Sequence, residues 1–309
     1  MCVEYLGKRD GMFTYLCIIF RNAIYGSSVF FTRDLLESTD VLDVLAIRFL
    51  MSSLVFLLLM TCKVIKVNFK GKSLKYIFLA GLFEPVLYFW FETVGYDNTS
   101  AIVGAVIAST GPIVTVFTQY FVLKEKNTWL QNIFVLFGVA GALYIVLNTK
   151  TGDGNNSVLG MLFVFLAVAV GTLYTAFSRK TSGTKEFSAM EITCFTAFMG
   201  AIAFNGVNIV RHLYRGDIET YFTPLADGGN LVGFFFLAVV STIVATLAGN
   251  YALSKIPPSR AGAFGGVSTI TTIALGVLIE GEKLYPFHIV GTALTIICIF
   301  GVNYFRKKD

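Results

Sequence analysis

Charge is what this chain has least of. Asp, Glu, Lys and Arg make up 14% of its 309 residues, against about a quarter in a soluble domain, whose surface water must solvate. That shortage excludes a soluble globular enzyme. Histidine is scarcer still, with only His212 and His288, too little for metal or general-base chemistry. The five cysteines, Cys2, Cys17, Cys62, Cys194 and Cys298, show no CxxC or Cys/His ligand spacing. Disulfide and zinc readings therefore lack support, and the four cysteines beyond Cys2 read as small fillers of apolar segments. No nucleophile–base pair stands out, so neither catalytic nor metal-binding residues are assigned. Gly152-Asp153-Gly154-Asn155-Asn156 is a polar turn and not a phosphate loop, and no cofactor is implied. Basic patches with interleaved aromatics are missing outside the apolar segments, which argues against nucleic acid as a partner.

What is present is apolar. Hydrophobic types reach 55% and the mean hydropathy is +0.72. About 20 apolar residues cross the hydrocarbon of a bilayer. Ten segments meet that length, near 12–32, 41–62, 74–96, 100–123, 128–148, 157–178, 188–210, 230–252, 260–280 and 285–305. They predict an all-α, polytopic protein with ten transmembrane helices and the lipid bilayer as its main partner. The remaining residues form tails and loops too short for an extramembrane catalytic domain. The first segment is long and carries Arg21, so it reads as a retained helix and not as a cleavable signal peptide. With the amino terminus inside, 17 Lys and Arg fall on inner segments, while 5 fall outside: Arg33, Lys150, Arg211, Arg215 and Lys283. The positive-inside rule then puts both termini in the cytoplasm. The longest outer loop, 211–229, has the length for a short interfacial helix. Asn98-Thr99-Ser100 and Asn155-Asn156-Ser157 match glycosylation acceptors on the outer side.

The two halves resemble each other. At an offset of 146, Phe31-Thr32-Arg33 meets Phe177-Ser178-Arg179, and Phe49 meets Phe195. At an offset of 157, Lys124-Glu125-Lys126 meets Gly281-Glu282-Lys283. These matches map spans 1–5 onto 6–10, dividing the chain into residues 1–154 and 155–309. An odd number of spans per unit turns the second copy upside down, the arrangement by which many carriers alternate access.

Charges within hydrocarbon are costly and mark function or pairing. Four stand out: Arg21, Arg48, Glu84 and Glu92. At about 1.5 Å per residue, Arg21 and Glu84 fall near the midplane. Arg48 lies deeper than Glu92, which is close to the outer interface. The four form a compensated set, with Arg48, Glu84 and Glu92 as candidates for ion pairing or coupling. For Arg48 a packing lock and a functional role carry equal weight. Glu84 precedes Pro85, which removes a backbone donor and bends a helix. Glu84, Tyr88 and Glu92 are spaced by four and share one face, a reasonable wall for an organic solute. Trp90 lies off that stripe and is a weaker candidate. Asn22 and Tyr25 accompany Arg21.

The fourth span is broken at Ser109-Thr110-Gly111-Pro112. At the 157 offset this break meets Ser268-Thr269, just after Gly265-Gly266. Paired interruptions point to a transporter site. The alternative of equal weight is close helix packing through small residues such as Gly262 and Gly266. Gln119, Asn250 and His288 are weaker polar positions, and His288 reads as a packed or interfacial histidine.

Together these residues resemble the EamA-like, ten-helix branch of the drug/metabolite transporter superfamily along nearly the whole chain. Tyr25-Gly26-Ser27 stands where that family shows Trp-Gly-Ser. Arg48-Phe49 matches its recurrent Arg-Phe. Asn250-Tyr251-Ala252-Leu253 with Pro257, Ser259 and Ala261 is similar to its helix 8–9 junction. Glu125 and Glu282 fit the acidic residue that closes each fourth helix. The resemblance implies a 5+5 inverted repeat around a central cavity lined mainly by helices 1, 3, 4, 6, 8 and 9. It also implies transport of small metabolites, often export of amino acids. Arg21 and Glu84 fall outside the common pattern and are candidates for this chain's own selectivity.

The expectation is a secondary carrier in the cell membrane, a probable exporter of amino acids or similar zwitterions. Arg21 would attract a carboxylate, and Glu84 an ammonium or a proton. A carrier of nucleotide sugars or phosphorylated metabolites, or a non-transport scaffold, are the alternatives. A homodimer is compatible with the sequence.

Overall fold

A computed structural model describes residues 2–118, 120–121, 128–148, 157–183, 186–256, 258–262 and 264–305. Among the described residues the chain is all-helical, without strands. Five helices are long and apolar enough to cross a membrane: α2 (Val41–Thr61), α3 (Lys75–Asp97), α7 (Val158–Gly183), α8 (Ala189–Arg215) and α9 (Gly228–Lys255). Helix α1 (Cys2–Leu36) precedes them. Shorter apolar helices supply the rest: α4 (Ala101–Ala108), α5 (Gly111–Thr118), α6 (Trp129–Asn148), α10 (Pro258–Gly262), α11 (Gly265–Leu278) and α12 (Pro286–Tyr304). Within the described residues these helices fall on the expected apolar segments, five of them at spanning length.

Several boundaries differ from expectation, for local reasons. The segment expected to end at 210 continues to Arg215, where Gly216 adopts φ +73° and closes the helix with a left-handed cap. The following loop holds two single 3₁₀ turns, Ile218–Thr220 and Thr223–Leu225, where one short interfacial helix is expected. The break between α4 and α5 falls at Ser109 and Thr110 as the sequence indicates. Its counterpart does not fall at Ser268-Thr269, which lie inside α11. Among the described residues the turn comes earlier, at Phe264, and a Cβ built on Gly262 or Gly266 would meet nothing within 4 Å. That gives the small-residue packing reading no support there.

Two helices carry π segments, Leu82–Leu87 in α3 and Phe236–Ala245 in α9. In α3 the distortion centres on Glu84, with φ −138° and ψ 116°. The ring of Pro85 pushes the preceding residue out of the α region.

The helices pair across the two halves in a reciprocal pattern. Helix α12 packs along α6, α2 along α8, and α11 against α4. Helix α1 packs on α9 and α11, while α7 packs on α3, α4 and α5. Lipid tails offer no hydrophobic drive between helices, so close van der Waals packing and hydrogen bonds hold them. Gly26 shows how close: a Cβ there would lie 2.5 Å from the Ser268 carbonyl oxygen. Phe49 stacks on Phe204 at 5.4 Å between ring centroids, in a core cluster shared by α2, α3 and α8.

Equivalent arginines end α1 and α7. Arg33 donates from Nη1 to the carbonyls of Tyr96 and Thr99 at the end of α3. Arg179, at the 146 offset, donates from Nη1 to the carbonyls of Leu253 and Ser254 at the end of α9, at 2.8 and 3.0 Å. Each cation meets the carbonyl-rich end of a helix, where it is favoured.

Candidate functional site

The side chains that the sequence singles out at mid-helix converge on one cavity of about 190 Å³. Helix α1 contributes Arg21, Asn22 and Tyr25, and α3 contributes Glu84, Tyr88 and Glu92. The i, i+4, i+8 spacing of that acid–aromatic–acid stripe survives the π segment, and all three residues line the space. Ser268 and Thr269 from α11 line it as well.

Hydrogen bonds bind the wall together. Tyr25 donates its hydroxyl to Glu84 Oε1 at 3.1 Å and lies 3.0 Å from the Thr246 hydroxyl of α9. Tyr88 donates to Glu92 Oε1 at 2.7 Å. Asn22 turns back to its own helix, donating to the Ile18 carbonyl at 2.7 Å. Arg21 is different. Its guanidinium carbon lies 4.4 Å from the centroid of the Tyr25 ring, and its side chain runs against Gly249, where a Cβ would come within 2.4 Å of it. Among the described residues it has no hydrogen-bond or ion-pair partner. The cation is stacked and aimed at the cavity, with its donors unspent.

The four charges lie in one another's electrostatic field without direct contact. Among the described residues, none of Arg21, Arg48, Glu84 and Glu92 forms an ion pair. Arg48 is 1% exposed and lies away from the cavity. It donates from Nε to Thr242 at 2.9 Å and from Nη2 to Ser241 at 3.0 Å, and its guanidinium sits 4.1 Å from the Phe89 ring centroid. Hydroxyls on the π segment of α9 and an aromatic face hold it.

Three other expected residues lie off the cavity. Trp90 packs against the core cluster of Leu45, Phe49 and Phe89, because it is rotated off the stripe that faces inward. Ser109 spends its hydroxyl on the Val106 carbonyl at 2.5 Å, and Gly111 faces Val168. The side chain of Pro112 lies outside the described residues, as do Gln119, Glu125 and Asn155-Asn156. Asn98 uses its amide to bond the Val94 carbonyl at 3.0 Å. His288 is buried, and its Nδ1 accepts from the Tyr285 backbone at 3.3 Å.

Sequence reasoning missed Tyr96, Thr115, Gly171, Thr172 and Thr175, all on the cavity wall. Isolated threonines in apolar segments carry no signal of their own. The repeat supplies one, since Gly171, Thr172 and Thr175 stand at the 146 offset from Tyr25, Gly26 and Val29, and those three helix-1 positions are themselves close to the site. Asn250 is also more central than its sequence suggests. Buried at 1% exposure, it accepts from Tyr174 at 2.7 Å and Ser178 at 2.8 Å, and it donates to Thr193 at 3.0 Å. That network joins α7, α8 and α9 beside the cavity.

Comparison with known proteins places this geometry. The model of the EamA-like transporter family matches residues 12–147 and 158–304. The chain is 30% identical over 294 residues to the uncharacterized transporter YcxC of Bacillus subtilis (strain 168), covering 95% of this chain and 94% of that protein. It is 26% identical over 318 residues to the uncharacterized transporter YetK of the same organism, covering 99% and 93%. It is 22% identical over 241 residues to the WAT1-related protein At3g02690, chloroplastic, of Arabidopsis thaliana, covering 75% and 55%. A solved crystal structure superposes with a TM-score of 0.64 at 14% identity over 94% of this chain and 96% of that one, a likeness of fold alone. With family matches across both halves and several apolar helices of spanning length, this is an integral, multi-pass membrane protein, and the chain belongs to the EamA-like transporter family.

Proposed function

We propose that the chain is a secondary carrier that moves a small zwitterionic metabolite, such as an amino acid, through the central cavity by alternating access. The carrying observation is the unspent guanidinium of Arg21 on the same cavity as the carboxylate of Glu84. A guanidinium fork matches a carboxylate in geometry and charge, and a buried carboxylate favours an ammonium. The tyrosine faces of Tyr25 and Tyr88 give a cation–π surface between them. Such a site needs no net charge on its solute, whereas a nucleotide sugar would call for an excess of cations.

The inverted 5+5 arrangement, with halves meeting near Asp153, is the framework of this reading. The reciprocal helix pairing and the equivalent roles of Arg33 and Arg179 support it. The excess of Lys and Arg on one set of loops supports cytoplasmic termini and a place in the cell membrane. Export is the direction the family resemblance favours. Proton coupling would run through Glu84.

A thermal-shift screen of the purified chain against amino acids, lipophilic amines and sugar nucleotides tests the solute class. Stabilisation by zwitterions that Arg21→Ala abolishes is the expected result. Stabilisation by sugar nucleotides, with none by zwitterions, would overturn it. Transport in proteoliposomes then tests coupling. Indifference to a pH gradient together with full activity of Glu84→Gln would exclude the proton route.

A further inference from the structure

Beyond the solute site, the Arg33 end of α1 carries a second construction. Arg33 Nε donates to Glu280 Oε2 at 2.8 Å, and Nη2 lies 3.3 Å from Glu282 Oε1. Nη1 holds the carbonyls of Tyr96 and Thr99. Glu282 in turn accepts from the backbone nitrogens of Ala101 and Ile102, both at 2.8 Å, at the start of α4. Between the two carboxylates Gly281 takes φ +68°, a left-handed turn that a side chain would oppose and that brings both acids onto one guanidinium. One cation thus ties together the end of α1, the end of α3, the start of α4 and the α11–α12 connection.

Tyr96 marks what the tie encloses. Its side chain lines the central cavity, and it also lines a separate recess of about 150 Å³ with Arg33, Asp34, Glu37 and Glu280. The ring packs on Gly104, where a Cβ would come within 2.3 Å of it. Tyr96 is thus shared by the linings of the two spaces, and Arg33 holds its backbone carbonyl.

We propose that Arg33 with Glu280 and Glu282 is a gate latch that seals the central cavity from the Arg33 face of the protein, with Tyr96 as the plug. The three side chains are each between 13% and 20% exposed. They are shielded enough to hold and close enough to water to release without stranding a charge in hydrocarbon. Release would leave Glu280 and Glu282 as adjacent like charges, which drives the α11–α12 connection away. Arg179 is the equivalent cation for the other face.

The latch rests on the reading of the cavity as a solute path, but its test needs no solute. In the full chain, with its native cysteines replaced, Ser268→Cys places a single thiol on the cavity wall. After reconstitution in vesicles of one orientation, a membrane-impermeant methanethiosulfonate is added from the Arg33 face. Arg33→Ala should raise the labelling rate about tenfold or more, and Glu280→Gln with Glu282→Gln should do the same. Arg33→Lys, which keeps the charge and loses the fork, should fall between. Arg179→Ala should not raise it. If Arg33→Ala fails to fold, the double glutamine variant carries the test. An Arg33→Cys/Glu280→Cys disulfide should abolish labelling from that face while sparing the opposite one. Unchanged labelling in the latch variants, or an equal rise with Arg179→Ala, would overturn the proposal. A failure of zwitterion binding would instead count against the solute reading and leave this result intact.

Discussion

The two halves matched by the family model, 12–147 and 158–304, share a helical plan and divide the chemistry unequally. The four charges that the sequence sets well inside apolar segments, Arg21, Arg48, Glu84 and Glu92, all come from the first half. The second half answers with neutral groups. Ser241 and Thr242 hold Arg48, Thr246 meets Tyr25 beside Glu84, and Gly249 leaves room for Arg21. Its own buried polar centre is the amide of Asn250, satisfied by three partners. A repeat that only needs to rock can stay symmetric in backbone. On the proposed zwitterion reading, the two unlike ends of the solute are met by side chains of a single half.

The largest test of this division is Arg48→Ala. It removes the donors to Ser241 and Thr242, opens space beside Phe89, and should destabilise the protein by roughly 3–5 kcal/mol, read by denaturant unfolding in detergent. A loss confined to transport, with stability intact, would return Arg48 to the solute site. Next is Arg21→Ala, which removes the unspent cation. Solute affinity should fall roughly 10- to 100-fold, the worth of a charge-assisted hydrogen bond, with little change in unfolding. Gly26→Ala probes the contact between halves. Its methyl would press on the Ser268 carbonyl and should cost about 1–3 kcal/mol through overpacking, seen as a lowered unfolding midpoint. The smallest effect belongs to Thr246→Val, a second-half hydroxyl. Loss of its contact with Tyr25 should weaken solute binding about fivefold, near 1 kcal/mol. If Thr246→Val matched Arg21→Ala in calorimetric titrations, the inequality between the halves would collapse.

Much of this arrangement is legible in the sequence because lipid makes mistakes expensive. Ten apolar stretches stand out, and so do four charges within them. The Glu84-Pro85 kink follows from one local rule. Glu84, Tyr88 and Glu92 face the cavity because a spacing of four keeps a helix face. Less visible is anything set by tertiary contact. The fate of Arg48 depends on hydroxyls nearly 200 residues away, and hydroxyls are common in apolar helices. Trp90 and Ser109 looked polar enough to face a solute, yet core packing and a local backbone bond claim them. The threonines of α7 carry no signal of their own and are reached in the sequence only through the 146 offset. The break in the second half moved because glycine permits an interruption at several places and proline does not choose among them.

The place of Tyr96 in the linings of two cavities has an electrical meaning. On the proposed latch, with both cavities filled with water, the membrane potential would fall mainly across the layer at Tyr96. Each net charge crossing it would then do work of about 2.3 kcal/mol per 100 mV. A zwitterion would cross with its two charges cancelling and feel almost none of that field.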